Sequence, residues 1–122
     1  MKTRRFTPLI NSICQKIETF TGESFNSVLV NLYRDGRDSN GWHSDDEKEL
    51  GPTPFIASLS LGETREIQFK HKNSGERCVY PLENGSLMLM SGEIQKYWKH
   101  QIPKTKRKKE ARLNLTFRKI IG

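Results

Sequence analysis

The chain has 122 residues, of which 34% are hydrophobic, and its 21 Lys and Arg against 14 Asp and Glu give a formal net charge of +7. No apolar run approaches the length of a membrane-spanning helix, so we expect no membrane partner. The basic excess favours a polyanionic partner such as nucleic acid, although a merely solvated basic surface has the same composition. Cys14 and Cys78 match no CxxC spacing, which indicates reduced thiols in an intracellular protein of the cytoplasm or nucleus.

The first element that the sequence predicts is an amphipathic helix over residues 8–22. Pro8 suits the first turn and Gly22 is a typical stop. Because the apolar residues recur at helical spacing, we expect the helix to cover one face of a sheet. These apolar residues are Leu9, Ile10, Ile13, Ile17 and Phe20.

Alternating apolar and polar residues predict short strands along the rest of the chain. In the first of them, FNSVLVNLY (25–33), Val28, Val30 and Leu32 share one face, and Leu29, Asn31 and Tyr33 share the other. The further runs PFIASLSL, REIQFKH, RCVYPL, SLMLMS and ARLNLTFRKII follow, with turn signals such as KNSGE and ENG between them. Many short strands after one helix indicate a mainly β sandwich or barrel, and we expect one domain over residues 1–122.

A glycine-punctuated stretch, RDGRDSNGWHSDDEKELG (34–51), concentrates acidic residues around His43 in a basic chain. His43 and Asp45 form an H-x-D pair whose side chains point the same way in an extended segment, so both can bind one ion. Adding His71 or His100 would complete the two-histidine, one-carboxylate ligand set of non-haem Fe(II) oxygenases. Spacing alone leaves a solvated acidic loop as the alternative, since a two-residue motif recurs by chance.

The last run, ARLNLTFRK, alternates between an apolar and a polar face. Leu113, Leu115 and Phe117 share the face that we expect to lie against the core, and Arg112, Asn114, Thr116 and Arg118 share the other. In an arbitrary β domain the polar face would point to solvent. If it is interior instead, the arginines need an anionic guest. A dicarboxylate such as 2-oxoglutarate would meet that need, because guanidinium groups pair with carboxylates in a bidentate way.

Together, the H-x-D pair, the distal histidine and the R-x-N-x-T-x-R pattern resemble the AlkB family of Fe(II)- and 2-oxoglutarate-dependent nucleic-acid demethylases. The similarity is greatest to the branch nearest the mammalian DNA-repair members. It runs from about residue 25 to residue 120 and includes VLVNLYRDGRDSNGWHSDDEKELG, PFIASLSLG, FKHK, NGSLMLM and ARLNLTFRK. The resemblance implies a double-stranded β-helix, or jelly roll, with the N-terminal helix packed on one sheet.

The resemblance also implies a role for individual residues. The positions that match the iron ligands are His43, Asp45 and His100. The positions that match the 2-oxoglutarate contacts are the carboxylate-binding Arg112 and Arg118, together with Asn31, Tyr33 and Thr116, and Asn114 lies in the same motif. Asp46 and Glu47 match acidic positions that approach the damaged base, where they would meet the exocyclic amine of a cationic methylated base.

The implied activity is oxidative demethylation of N-alkylated bases, of the 1-methyladenine and 3-methylcytosine type, in DNA or RNA. It would use Fe(II), O2 and 2-oxoglutarate and would release formaldehyde, succinate and CO2. Because the base must reach an enclosed iron, we expect single strands to be preferred over duplex. We expect the protein to act as a monomer. The basic run KTKRKK (104–109) would hold phosphates or simply be solvated.

Two features leave the substrate open. The family carries a nucleotide-recognition lid before this region, whereas only a short stretch precedes Pro8 here, so we expect most of that lid to be absent. The absent lid leaves an oxygenase that acts on a protein or small molecule as one alternative, and the basic charge alone leaves a catalytically idle nucleic-acid-binding module as another. Aromatic residues beside the histidines would either stack on a base or pack beneath the metal loop. They are Trp42, Tyr97 and Trp98.

Overall fold

In the computed structural model, residues 7–121 are described, and they form two four-stranded antiparallel sheets preceded by a helix. The strands are β1 (Ser27–Tyr33), β2 (Asn40–His43), β3 (Ile56–Gly62), β4 (Arg65–His71), β5 (Arg77–Leu82), β6 (Leu87–Met90), β7 (Trp98–Ile102) and β8 (Arg112–Arg118). The helices are α1 (Pro8–Thr21), α2 (Ile94–Tyr97) and a 3-10 turn (Lys48–Leu50). No helix in this part of the chain is both long and apolar enough to cross a membrane.

Helix α1 begins and ends where the sequence predicts. The Thr7 hydroxyl accepts a hydrogen bond from the Ile10 amide at 3.2 Å, and Pro8 occupies the first turn. The helix ends at Gly22, whose φ of 76° is a conformation that glycine adopts without strain. Its amide donates to the Glu18 carbonyl at 2.8 Å.

The buried stripe of α1 is narrower than the apolar pattern suggests. It is centred on Cys14 and Ile17, which are both buried. The prediction that Leu9 and Phe20 help to cover the sheet is wrong, because these side chains are 71% and 77% exposed. At 100° per residue they lie toward one edge of the stripe, beyond the reach of the sheet.

The sheet with strand order β1-β8-β3-β6, which we call the major sheet, packs its outer face against α1. The apolar face of β8 points this way, as the sequence predicts, and Leu115 and Phe117 are buried there. These side chains form one core cluster with Cys14, Ile17, Phe25 and Ala57. Strand β1 lies at an edge of this sheet, so Leu29, Val30 and Leu32 stay largely exposed.

The second sheet, which we call the minor sheet, has strand order β2-β7-β4-β5 and lies opposite the inner face of the major sheet. A second core cluster fills part of the space between them, and it consists of Tyr33, Ile56, Ile67, Phe69, Leu82, Met90 and Ile102. Successive strands pass from one sheet to the other at every connection except β4–β5. This arrangement of eight strands in two sheets is that of a jelly roll, so the predicted fold is confirmed.

Candidate metal centre and polar cavity

Three potential metal ligands meet at one end of the space between the sheets. His43 ends β2 and lies directly opposite His100 of β7 in the strand register, with ring centroids 4.3 Å apart. Asp45 follows two residues after His43, and one ligand atom from each of the three residues lies within 4.8 Å of the others. His71 is engaged elsewhere, because its Nδ1 accepts hydrogen bonds from the Asn73 and Ser74 amides in the β4–β5 turn.

The hydrogen bond of the His43 ring and the neutral state of His100 suit a cation. His43 Nδ1 lies 2.7 Å from the Gly41 carbonyl oxygen. A hydrogen on Nδ1 donates to that carbonyl, so Nε2 is the ring nitrogen left to face a metal. Burial, and then the neighbouring His43, lower the pKa of His100 to about 4, so its imidazole is neutral at pH 7. Burial raises the pKa of Asp45, whereas His43 and Arg118 oppose that rise.

Residues around α2 hold the ligand loop in place. The Asp45 amide donates a 2.8 Å hydrogen bond to Oε1 of Gln95, a side chain that is almost fully buried. The Ser44 hydroxyl donates to the Trp98 carbonyl at 2.8 Å. Both bonds connect the H-x-D segment to the chain just before His100. The segment that carries Asp45 is therefore held against the chain that leads into His100 by two short, partly buried hydrogen bonds.

The polar face of β8 points into the interior and not into solvent. Strand β8 is paired on both sides, with β1 and β3. Its inward side chains line a cavity that also contains the three potential metal ligands, and Asn31 and Tyr33 of β1 complete that part of the wall. The β8 side chains on this wall are Arg112, Asn114 and Thr116.

Arg112 is a buried cation with unused hydrogen-bonding capacity. Its side chain is 2% exposed, and Nη2 donates to the Ser60 hydroxyl at 2.9 Å. Nε and Nη1 have no hydrogen-bond acceptor among residues 7–121. Burial lowers the pKa of Arg112, whereas the electrostatic interaction with the Tyr33 hydroxyl opposes that lowering. The ring centroid of Tyr33 lies 4.9 Å from the guanidinium carbon. A buried guanidinium with free donors is costly, so this wall fits an anionic guest such as a carboxylate.

The whole sequence up to residue 118 matches one protein family, the 2OG-Fe(II) oxygenase superfamily. The chain belongs to this superfamily. The family implies Fe(II), 2-oxoglutarate and O2. The donor set fits such a ferrous site, because two imidazoles and one carboxylate leave coordination positions open. The free donors of Arg112 fit a 2-oxoglutarate carboxylate.

This oxygenase-family chain is similar in sequence to AlkB proteins. It is 44% identical to the human alpha-ketoglutarate-dependent dioxygenase alkB homolog 3 over 122 positions, which cover 93% of this chain and 43% of the relative. It is 38% identical to the human DNA oxidative demethylase ALKBH2, covering 99% of this chain and 49% of the relative. The chain thus spans less than half the length of these curated relatives. The predicted resemblance to the AlkB family is confirmed.

A solved structure shares the fold of this oxygenase-family chain. The structure of OsALKBH1 superimposes with a TM-score of 0.65 and covers 91% of this chain and 60% of that one. The sequence identity is 23%. The likeness therefore supports the jelly roll and the placement of its strands.

The remaining predicted site residues of this oxygenase-family chain lie at or beside the cavity. Arg118 is buried, and its Nη1 lies 3.7 Å from Oε1 of Glu47. Asp46 and Glu47 are exposed on the loop that follows Asp45. Asn114 is engaged within the protein, because its Nδ2 donates to the Ser58 hydroxyl at 2.7 Å and its Oδ1 accepts from Thr116 at 2.8 Å.

The aromatic residues near the histidines have separate environments. Trp98 is partly buried and packs against the core between the sheets, with its ring edge-on to His71 at 5.0 Å. Tyr97 is exposed and stacks on the His71 ring at 6.3 Å. Trp42 lies on the outer face of the minor sheet, where its ring contacts Arg77 and Lys99. Trp98 therefore packs against the core, whereas Trp42 does not pack beneath the loop that carries the metal ligands.

Sequence reasoning missed several residues that support the site. Ser58 and Ser60 were detectable, since two polar residues at alternate positions interrupt an otherwise apolar strand. Gln95 carries no such signal, because a single glutamine in a short helix is unremarkable. Arg65 is also buried, and it donates hydrogen bonds to the carbonyls of Asp35, Asp38 and Pro103 at 2.7–3.2 Å. These bonds connect the loop after β1 to the loop after β7.

Proposed function

We propose that residues 1–122 form one catalytic domain that oxidatively demethylates N-alkylated bases in nucleic acid, of the 1-methyladenine and 3-methylcytosine type. The observation that carries this proposal is that the three potential metal ligands share one cavity with the free donors of Arg112. The names of the relatives support it, since one is called a dioxygenase and another a DNA oxidative demethylase.

In this proposal, His43, Asp45 and His100 hold Fe(II) at the end of the cavity. When bound, the ferrous ion and 2-oxoglutarate supply an oxidation by O2 that removes the methyl group as formaldehyde and leaves succinate and CO2. The protein orients the reactants. The hydrogen bond from His43 to Gly41 fixes one ring, and that from Asp45 to Gln95 fixes the carboxylate loop.

We assign the anchoring of 2-oxoglutarate to the inner face of β8. Arg112, held by Ser60, presents Nε and Nη1 to one carboxylate, and Arg118 takes the other. Asn31, Tyr33 and Thr116 supply the remaining polar contacts of the wall. Asn114 is engaged with Ser58 and Thr116, so we assign it to positioning Thr116 within this wall.

We assign base recognition to the exposed acidic loop. Asp46 and Glu47 lie next to Asp45 and offer carboxylates to a base that carries a positive charge. A base must leave its stack to reach a metal enclosed between two sheets, which favours single-stranded DNA or RNA. We expect the protein to act on such strands as a monomer.

The direct test is a reaction with a methylated single-stranded oligonucleotide, Fe(II), ascorbate and 2-oxoglutarate. We expect the oligonucleotide to lose its methyl mass while formaldehyde and succinate form in equal amounts. An Asp45→Ala variant should abolish this reaction, whereas Asp38→Ala, which removes a partly exposed carboxylate that pairs with Arg34, should retain it. Intact oligonucleotide with succinate only at the background rate would reject the proposal. Succinate formation stimulated by peptides or small molecules instead would point to the alternative oxygenase.

A further inference from the structure

A row of cations crosses the outer face of the minor sheet, away from the cavity. Lys70 of β4 pairs in register with Arg77 of β5 on one side and with Lys99 of β7 on the other. Their neighbours Phe69 and His100 point inward and are buried, so the three cations point outward. Because neighbouring strands lie about 4.8 Å apart, this row spans about 10 Å.

The charge of this row is not neutralised by the protein. None of its three side chains forms an ion pair with any residue of the described range 7–121. Like charges directly opposite each other destabilise a sheet. On the outward face of β4 the acidic residue is Glu66, about 13 Å along the strand from Lys70. An external polyanion would offset this repulsion.

An aromatic ring lies among these cations. The guanidinium carbon of Arg77 is 5.7 Å and the Lys99 Nζ is 6.0 Å from the ring centroid of Trp42. Because adjacent residues of a strand point to opposite faces, Trp42 points outward while His43 points to the cavity. Cations interleaved with an aromatic ring are typical of surfaces that bind single-stranded nucleic acid, whereas an acidic peptide needs no aromatic partner.

The cationic surface continues toward the other end of the sheet. In its middle, Gln101 donates a 2.7 Å hydrogen bond to Gln68, and both side chains lie on the outward face. Beyond them, a groove runs between β4 and the loop that follows β7. Gln68 and the acidic Glu66 line the groove on the sheet side, and three basic side chains line it from the loop, namely Lys104, Arg107 and Lys109. The KTKRKK run is therefore one wall of a groove on this sheet.

We infer that the outer face of the minor sheet binds the phosphate backbone of a single-stranded nucleic acid, through Lys70, Arg77 and Lys99 beside Trp42. This surface lies on the side of the sheet opposite to the cavity. It would bind a strand whether or not a base enters the cavity, so the inference goes beyond the proposed demethylation.

The test measures binding of an unmethylated oligothymidylate by fluorescence anisotropy over a series of NaCl concentrations, without metal or 2-oxoglutarate. The test variant is Lys70→Gln/Arg77→Gln/Lys99→Gln. Because each phosphate contact contributes about 0.7 to the salt slope of single strands, we expect the slope of log Kd against log salt to fall by about 2. Trp42 emission should change when the strand binds to the natural protein, and Trp42→Phe should remove that change.

The matched control is Lys16→Gln/Lys48→Gln/Lys119→Gln, which removes three exposed positive charges outside this face. It should keep most of the slope. Equal losses in the two triple variants would overturn the inference, because they would show a response to net charge alone. Displacement of the strand by polyglutamate of equal charge at the same concentration would also overturn it, since the surface would then bind any polyanion.

Two further measurements exclude a folding effect and separate this inference from the proposed function. Because three adjacent like charges are removed, we expect the thermal midpoint of the test variant to stay equal or to rise. A lower midpoint would show that unfolding explains the loss of binding. It would overturn the inference unless the single variant Lys70→Gln also reduced the slope of log Kd against log salt. If only the proposed demethylation is wrong, the protein will convert no methylated substrate but will still bind the strand with the same salt slope.

Discussion

Strand β8 has two faces that are equally buried and opposite in chemistry. Toward α1 it presents Leu115 and Phe117 within an apolar cluster. Toward the cavity it presents Arg112 and Asn114, which are also buried. The same seven residues, Arg112–Arg118, therefore contribute to the core on one side of the major sheet and to the candidate site on the other.

This contrast shows that burial alone does not measure stabilisation. Apolar burial on the α1 side favours folding in proportion to the area removed from water. Burial of Arg112 on the cavity side leaves donors unpaired and costs free energy until an anion binds. Binding of an anion offsets this cost. Stability therefore depends on the ligand at the cavity face of β8 and does not depend on it at the α1 face.

The largest expected effect comes from the apolar face. Phe117 is 0% exposed, so Phe117→Ala should lower the free energy of unfolding by about 3–5 kcal/mol, because it removes buried area and leaves a cavity. Urea unfolding followed by circular dichroism would measure this loss. Phe20→Ala is the control, since its exposed ring should change stability by less than about 0.5 kcal/mol. Similar losses in both variants would contradict the contrast between the faces.

On the cavity face, Arg112→Met should separate binding from stability. Without ligand, we expect the unfolding free energy to stay equal or to rise, because a buried charge is replaced by an apolar side chain of similar length. The stabilisation by 2-oxoglutarate, measured as a thermal shift in the presence of Mn(II), should weaken by about 2 kcal/mol or more. A strongly destabilised free protein that binds 2-oxoglutarate normally would show that Arg112 is structural.

A smaller effect should follow from loss of the contact that positions Asp45. Gln95→Ala removes the acceptor of the Asp45 amide, and such supporting contacts typically change metal affinity by about 10–100-fold. Titration calorimetry with Mn(II) would measure the change. Gln101→Ala removes a hydrogen bond on the outer face of the minor sheet and should leave metal affinity unaltered. Equal affinity in the natural protein and Gln95→Ala would assign Gln95 to folding alone.

The smallest effect concerns the two thiols. Burial, and then Glu18, raise the pKa of Cys14 to about 11, so the reactive thiolate forms only as the pH approaches that value. Cys78 is partly exposed on β5. At pH 8 we expect a thiol reagent to label Cys78 first and Cys14 slowly. Faster labelling of Cys14 in Phe117→Ala would report opening between α1 and β8, and equal rates in the natural protein would contradict a closed interface.

The sequence predicted much of this fold because the patterns involved are local. The period of the apolar residues distinguished α1 from the strands, and alternation identified the two faces of β8. Leu9 and Phe20 show the limit of that reasoning, since a pattern marks an apolar stripe but not how far the neighbouring sheet extends. Arg65 and Gln95 were missed because each acts through partners distant in the chain.

By itself, the sequence determined the elements, the H-x-D pair and the basic excess, because each depends on residues close together in the chain or on composition. Spacing alone left His71 and His100 open, and the resemblance to the AlkB family named His100. The tertiary structure supplied the physical reason, since strand register brings β2 and β7 together. It also decided that the polar face of β8 is interior, because a period of two residues defines two faces but not which one a second sheet covers.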